Sequence, residues 1–162
     1  TYANSRRLEK SFRLQNADLL TEYNLIEAGL ARPTVKEADF HGKSAYVAQR
    51  ALDSQPAYLC TLTMTDNRDQ SGVERYPVGV CPVVDPGSGE VLVDELGRRS
   101  YTTSIAYGPS VGKNIALAYL PKAYAEEGRE LALEYFDEPF PVKVELVGCK
   151  GLYDPDNLLP RQ

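Results

Sequence analysis

Three cysteines, one histidine and a spread of carboxylates are the side chains here that could hold a metal, attack a carbonyl or move a proton. Cys60, Cys81 and Cys149 are an odd number without a C-x-x-C spacing, and His41 stands alone. Tetrahedral zinc wants four ligands at characteristic spacings, which this set does not offer. Free thiols in a reducing compartment, and no metal, are therefore expected. His41 lies in the turn-like run Asp39-Phe40-His41-Gly42-Lys43, whose surroundings name no nucleophile, so no Ser/His/Asp arrangement follows. The glycines are scattered as turn formers, with neither a G-x-G-x-x-G nor a Walker pattern, so no dinucleotide or ATP site is expected from this chain alone. By residue type, Glu9 reads as an exposed helical carboxylate paired with Arg13 four positions on, worth about a few tenths of a kcal/mol.

The elements that must position these groups are legible in outline. The 162 residues suffice for one ordinary domain, or a small domain with a piece of another. With 43% hydrophobic and 25% charged residues the chain is of average globular composition. Asn4 or Ser5 is placed to cap a helix carrying Leu8 and Phe12 on one face, and Ser44 to about Leu52 reads as a second helix. After Pro56 the texture turns to β. Tyr58, Cys60, Leu62 and Met64 alternate with Leu59, Thr61 and Thr63, and residues 65–74 read as an exposed loop. Further strands are expected over 76–84, 90–94, 99–106, 114–120, 130–136 and 140–147, with Asp85-Pro86-Gly87 as a turn. Short strands at this spacing predict a small antiparallel barrel or sandwich. The fold class is thus α+β, dividing near residue 54.

Charge and hydropathy remove several classes of function. A net charge of −5, with Glu126-Glu127 adjacent, argues against a nucleic-acid barrel despite 11 tyrosines that could stack on bases. The longest apolar runs, such as Ile115 to Leu120, are far short of the ~20 residues a membrane span requires. The start, Thr1-Tyr2-Ala3-Asn4-Ser5-Arg6-Arg7, has no apolar core of a signal peptide and no Met, and is read as the opening of a piece cut from something longer.

Local sequence goes further. The stretch Ser5-Arg6-Arg7-Leu8-Glu9-Lys10-Ser11-Phe12-Arg13 resembles the L-R-L-E-K-G-[YF]-R segment of the glycine-cleavage T-protein (aminomethyltransferase) family. Asp18-Leu19 followed by Ile26-Glu27-Ala28-Gly29-Leu30 is similar to that family's D/E-L … P-x-E-A-G-L, and Asp39-Phe40-His41-Gly42-Lys43-Ser44-Ala45 to its D-F-I-G-K-x-A-L. In the β region, Gly89-Glu90-Val91, Thr102 to Gly108, Ile115 to Pro121 and Val142-Lys143-Val144 follow in the family's order. Leu152-Tyr153-Asp154-Pro155 resembles the ending of the dimethylglycine/sarcosine dehydrogenase and oxidase branch.

The resemblance implies a chain made of the C-terminal end of a folate-binding aminomethyltransferase domain, residues 1–54, and a C-terminal β-barrel, residues 55–162. Such proteins hold tetrahydrofolate and transfer a one-carbon unit to it. In the dehydrogenase branch an N-terminal FAD domain first oxidises an N-methyl group, so FAD is implied only for a parent with an upstream flavin domain. The implied product is 5,10-methylenetetrahydrofolate, and the implied compartment is the cytoplasm, or the mitochondrial matrix in a eukaryote.

Glu9 is the residue the resemblance assigns to the pterin, since a carboxylate offers two acceptors to parallel donors on a flat ring. Tyr107 is a candidate for stacking on the folate or lining its pocket, and Arg75 for its glutamate carboxylates, with Arg32 and Lys36 as weaker candidates. The family's catalytic aspartate lies upstream of the L-R-L-E segment and so outside this chain. The chain is expected to be part of an enzyme without being catalytic alone, with the upstream remainder of the polypeptide or a partner chain as its partner. Ser11 for glycine, Asn24-Leu25 for Thr-Pro, His41 for an apolar residue, Ser100 for glycine and a long 65–84 connection are departures that bear on the pocket. A non-catalytic docking barrel of a larger assembly stays open as the second reading.

Overall fold

The structure is a computed structural model and describes residues 2–156, 158 and 159. Its centre is a sheet of six antiparallel strands: β1 (Ala57–Met64), β2 (Val83–Val84), β3 (Thr102–Gly108), β4 (Lys113–Pro121), β5 (Glu130–Tyr135) and β6 (Glu138–Val147), in the order β2-β5-β6-β1-β4-β3. The two edges meet. The Val83 N–H donates to the Ser100 carbonyl at 3.0 Å and the Thr102 N–H to the Cys81 carbonyl at 2.8 Å, which joins β2 to the entry of β3 and curls the sheet into a barrel. Register shifts between Thr61 and Leu62, and between Thr102 and Ser104, supply the local bending that closure requires.

Alternation decides which side chains fill the interior. Cys60, Leu62 and Met64 of β1 meet Ala116, Ala118 and Leu120 of β4, with Val142, Val144 and Phe140 of β6 and Leu131 and Leu133 of β5. Burial pushes the Cys60 thiol up to about 12, so it behaves as a small apolar filler. The outward positions of β1 and β4 are not solvated either. Leu59, Ile115, Leu117 and Tyr119 form a second apolar cluster with Leu8 and Ala28 from the N-terminal segment. Tyr23 of that segment lies flat on Tyr119, ring centroids 3.6 Å apart.

Several expected elements shift. The first helix, α1, spans Tyr2–Glu9 and ends before Phe12, which is exposed. Ser11 stops it by adopting a left-handed φ of 56°, the conformation that favours glycine. The Ser11 hydroxyl meets the Thr61 hydroxyl at 3.1 Å, a contact glycine could not make. The second helix, α2, spans Lys43–Arg50. The run 76–84 is a strand only at Val83–Val84, with Val78 and Val80 exposed. Pro77 and Pro82 withhold backbone donors there, and Gly79 bends the chain at φ 80°. Residues 90–94 contribute isolated bridges, Val91 to Val84 and Val93 to Arg99, rather than a strand, and the strand expected from 99 starts at Thr102.

Gly29 marks the tightest contact between the N-terminal segment and the chain beyond β6. A Cβ there would lie 2.8 Å from the Gly148 Cα, and its φ of 70° is left-handed as well. Arg13 fixes the same junction. It donates to the Ala28 carbonyl at 3.2 Å, the Gly148 carbonyl at 2.5 Å and the Ser11 carbonyl. The expected Glu9–Arg13 pair is therefore not formed. Helix α1 ends before Arg13, whose guanidinium is drawn onto backbone carbonyls instead.

Candidate functional site

Helix α1 lies against the β3–β4 hairpin, and Glu9, its last residue, is fully buried there. The approach is close because Gly108 has no side chain: a Cβ on it would stand 3.2 Å from Glu9 Cγ and 2.5 Å from the Ile115 Cδ1. Both carboxylate oxygens are engaged. Oε1 accepts the Ser110 backbone N–H at 2.5 Å, and Oε2 accepts Arg6 Nη1 at 3.0 Å. Arg6 also donates to the Ser110 hydroxyl, so helix, carboxylate and turn form one clamp. Burial alone would raise the Glu9 carboxyl. The Ser110 N–H and the Arg6 guanidinium outweigh it and hold the carboxyl below its usual range. The group is an anion held in place, with both oxygens already engaged.

The C-terminal chain returns to the same place. The Tyr153 N–H donates to the Glu9 carbonyl at 3.0 Å, and Lys10 Nζ pairs with Asp154 Oδ2 at 2.6 Å. The Leu152-Tyr153-Asp154-Pro155 run thus closes over the end of α1.

Two further charged clusters join the N-terminal segment to the barrel, and sequence reasoning gave their members no role. Buried Asp18 accepts Arg7 Nη1 at 2.7 Å and the Leu14 N–H at 2.8 Å through Oδ2, and the Thr103 and Ser104 hydroxyls at 2.6 and 2.7 Å through Oδ1. Arg98 reaches Glu27 Oε1 at 2.5 Å and Asp94 Oδ2 at 2.7 Å while lying 4.3 Å from the centre of the Tyr23 ring. Burial works against the Arg98 charge, but the two carboxylates prevail and raise its pKa. Asp18 and Glu27 sit inside the motifs D-L and E-A-G-L, which is the signal that could have found them.

The other expected site residues scatter. Tyr107, half exposed, directly precedes Gly108 on β3, so its side chain leaves the sheet on the face opposite the Gly108–Glu9 contact. Arg75 lies elsewhere. Both its Nε and its Nη2 sit 2.7 Å from Asp69 Oδ2, within the 65–82 loop, and it lines a small cavity of about 250 Å³ with Tyr135, Phe136 and Phe140. Arg32 and Lys36 line a different and larger groove, of about 970 Å³, between residues 15 and 49. Neither cavity includes Glu9. Among the described residues, no group of three or more His, Cys, Asp or Glu is arranged to hold a metal, and no helix is long and apolar enough to cross a membrane.

Comparisons with known proteins agree with this architecture. Residues 59–148 match the glycine cleavage T-protein C-terminal barrel domain. The chain is 31% identical over 147 residues to the mitochondrial dimethylglycine dehydrogenase of Rattus norvegicus, covering 89% of this chain and 15% of that protein. It is 29% identical over 145 residues to the aminomethyltransferase of Acidobacterium capsulatum, covering 87% of this chain and 34% of that one. The crystal structure of glycine cleavage system aminomethyltransferase T from Bartonella henselae superposes with a TM-score of 0.64 at 24% identity, over 88% of this chain and 36% of that one, which shows a shared fold. The chain thus spans between a seventh and about a third of the relatives it matches. Since the barrel match takes in more than half of its residues, the chain belongs to the glycine cleavage T-protein family.

Proposed function

We propose that this chain is the C-terminal part of a folate-dependent aminomethyltransferase-like enzyme. In this reading residues 1–54 close the folate-binding domain and residues 55–162 are the barrel behind it. One observation carries the reading: in a chain of this family, the carboxylate of the L-E motif is buried at the helix–barrel junction and held as an anion by Ser110 and Arg6. A charged acceptor of fixed orientation is what two parallel N–H donors on a flat ring require. Tetrahydrofolate would supply the nitrogen that accepts the one-carbon unit. The chain's own Glu9 orients the ring, accepting its donors once Arg6, whose side chain is 42% exposed, swings off Oε2. Arg75, already satisfied by Asp69, is a poorer match for folate's tail than it is for its own loop. FAD would belong to an upstream domain. The parent would work in the cytoplasm, or in the mitochondrial matrix of a eukaryote.

The test is calorimetric titration of tetrahydrofolate into the longer parent polypeptide. Glu9→Gln should weaken binding by roughly 10- to 100-fold, the loss of a charge-assisted pair. Unchanged affinity would remove Glu9 from the site.

A second reading has its own support. The carboxylates of Glu9, Asp18 and Glu27 are all satisfied within the chain, as a docking barrel without a ligand would have them. Absence of any folate binding by the parent would favour it.

A further inference from the structure

The groove between residues 15 and 49 does not belong to the Glu9 clamp. Leu19, Leu25, Leu30 and Phe40 give it an apolar floor that runs into Ala28 and Tyr119, part of the cluster fastening the segment to the barrel. Its charged lining residues are Arg32 and Lys36, and no carboxylate lines it, although the chain as a whole carries −5. One wall is α2, eight residues long, in which no residue is buried. A helix of that length is marginal in water and draws its stability from packing of an apolar face. Its ties are polar: Arg50 reaches the Arg32 and Pro33 carbonyls, Lys43 the Glu37 and Ala38 carbonyls, the Tyr46 hydroxyl accepts the Arg32 N–H, and Gln55 donates to the Gln49 carbonyl. Val47 of α2 and the nearby Leu52 remain exposed.

We infer that this groove is the seat of an element from the polypeptide preceding residue 1, one with an apolar face flanked by carboxylates. Relatives are about three to seven times as long as the part matched here, and the matched region is the family's C-terminal domain, so most of their length lies before it. The cationic lining selects acidic flanks on the incoming element. Its apolar face covers Leu25, Leu30 and Phe40 and gives α2 the packing it lacks. The inference rests on family membership and does not require folate.

Hydrogen exchange followed by mass spectrometry tests it, comparing this chain alone with the same chain carrying the sequence that precedes it in its own reading frame. Amides of 43–50 should gain protection on the order of 100-fold in the longer protein. Phe40→Asp should abolish the gain while β1, β4 and β6 stay protected, which shows that the barrel remains folded; Phe40→Leu should keep it. Ala45→Asp, on the face of α2 that lines the groove, provides an independent second variant. A charge reversal, Lys36→Glu, should reduce the gain, and added salt should do the same in the unmutated protein. Equal exchange in both forms overturns the inference. So does protection that appears in the short chain through self-association, or only on adding tetrahydrofolate. Because the readout needs no folate, failure of the Glu9 assignment leaves it standing, and the reverse holds too.

Discussion

The barrel and the segment before it are held by different forces. In the barrel, ladder hydrogen bonds and an interior of Leu, Val and Phe repeat around the ring, so each contact is backed by neighbours of the same kind. The segment 2–54 has only two eight-residue helices, and it is joined to the barrel by a few specific points: Leu8 and Ala28 in an apolar patch, Asp18, Glu27 and Arg13 in polar ones. Apolar burial is tolerant of detail, whereas a buried charge is costly unless every partner is present. The first region should therefore absorb change gradually, and the second should release at single residues.

The largest expected effect is in the barrel interior. Phe140→Ala removes the largest fully buried side chain and should cost about 3–5 kcal/mol, read as a lower urea midpoint common to all probes. Asp18→Ala should cost roughly 3 kcal/mol by stranding Arg7, but should free residues 2–20 to exchange while β1 and β6 keep their protection. Global unfolding at a single midpoint in that variant would erase the contrast between the regions.

A smaller effect comes from pH. The folded-state pKa of Glu9 is depressed, so its contribution is complete above the ordinary value of 4.5 and is lost as pH falls through the folded value. Glu9→Gln should thus flatten the fall in urea midpoint between pH 6 and pH 3 without removing it, because Asp69, Asp85, Asp154 and Glu145 are depressed too. Identical slopes would mean that the clamp does not favour the charged form. The smallest effect is at Arg75. Arg75→Ala should leave the melting midpoint unchanged within error, since its partner Asp69 also accepts the Ser71 and Val73 N–H groups.

How much of this was legible depended on whether the information was local. The alternation in 58–64 and 140–147 and the apolar runs in 114–120 and 130–136 located β1, β6, β4 and β5 to within a residue or two, because one face of each strand fills the same interior. The run 76–84 misled because β-branched side chains favour extension but cannot supply a neighbouring strand. Glu9 could be singled out through its motif. Its partner Ser110 could not, being 101 positions away in a turn with no distinctive composition. The Glu9–Arg13 pairing fails for a simple reason: helical spacing carries meaning only while the helix lasts, and Ser11 ends it.

The return of Tyr153 and Asp154 to the end of α1 has a consequence for synthesis. Lys10 and Asp154 stand 144 positions apart, so the clasp over this helix cannot form until that whole stretch has emerged from the ribosome. Until then the nascent helix has to wait for its cover, and a chain lacking residues 152–155 would leave it waiting permanently.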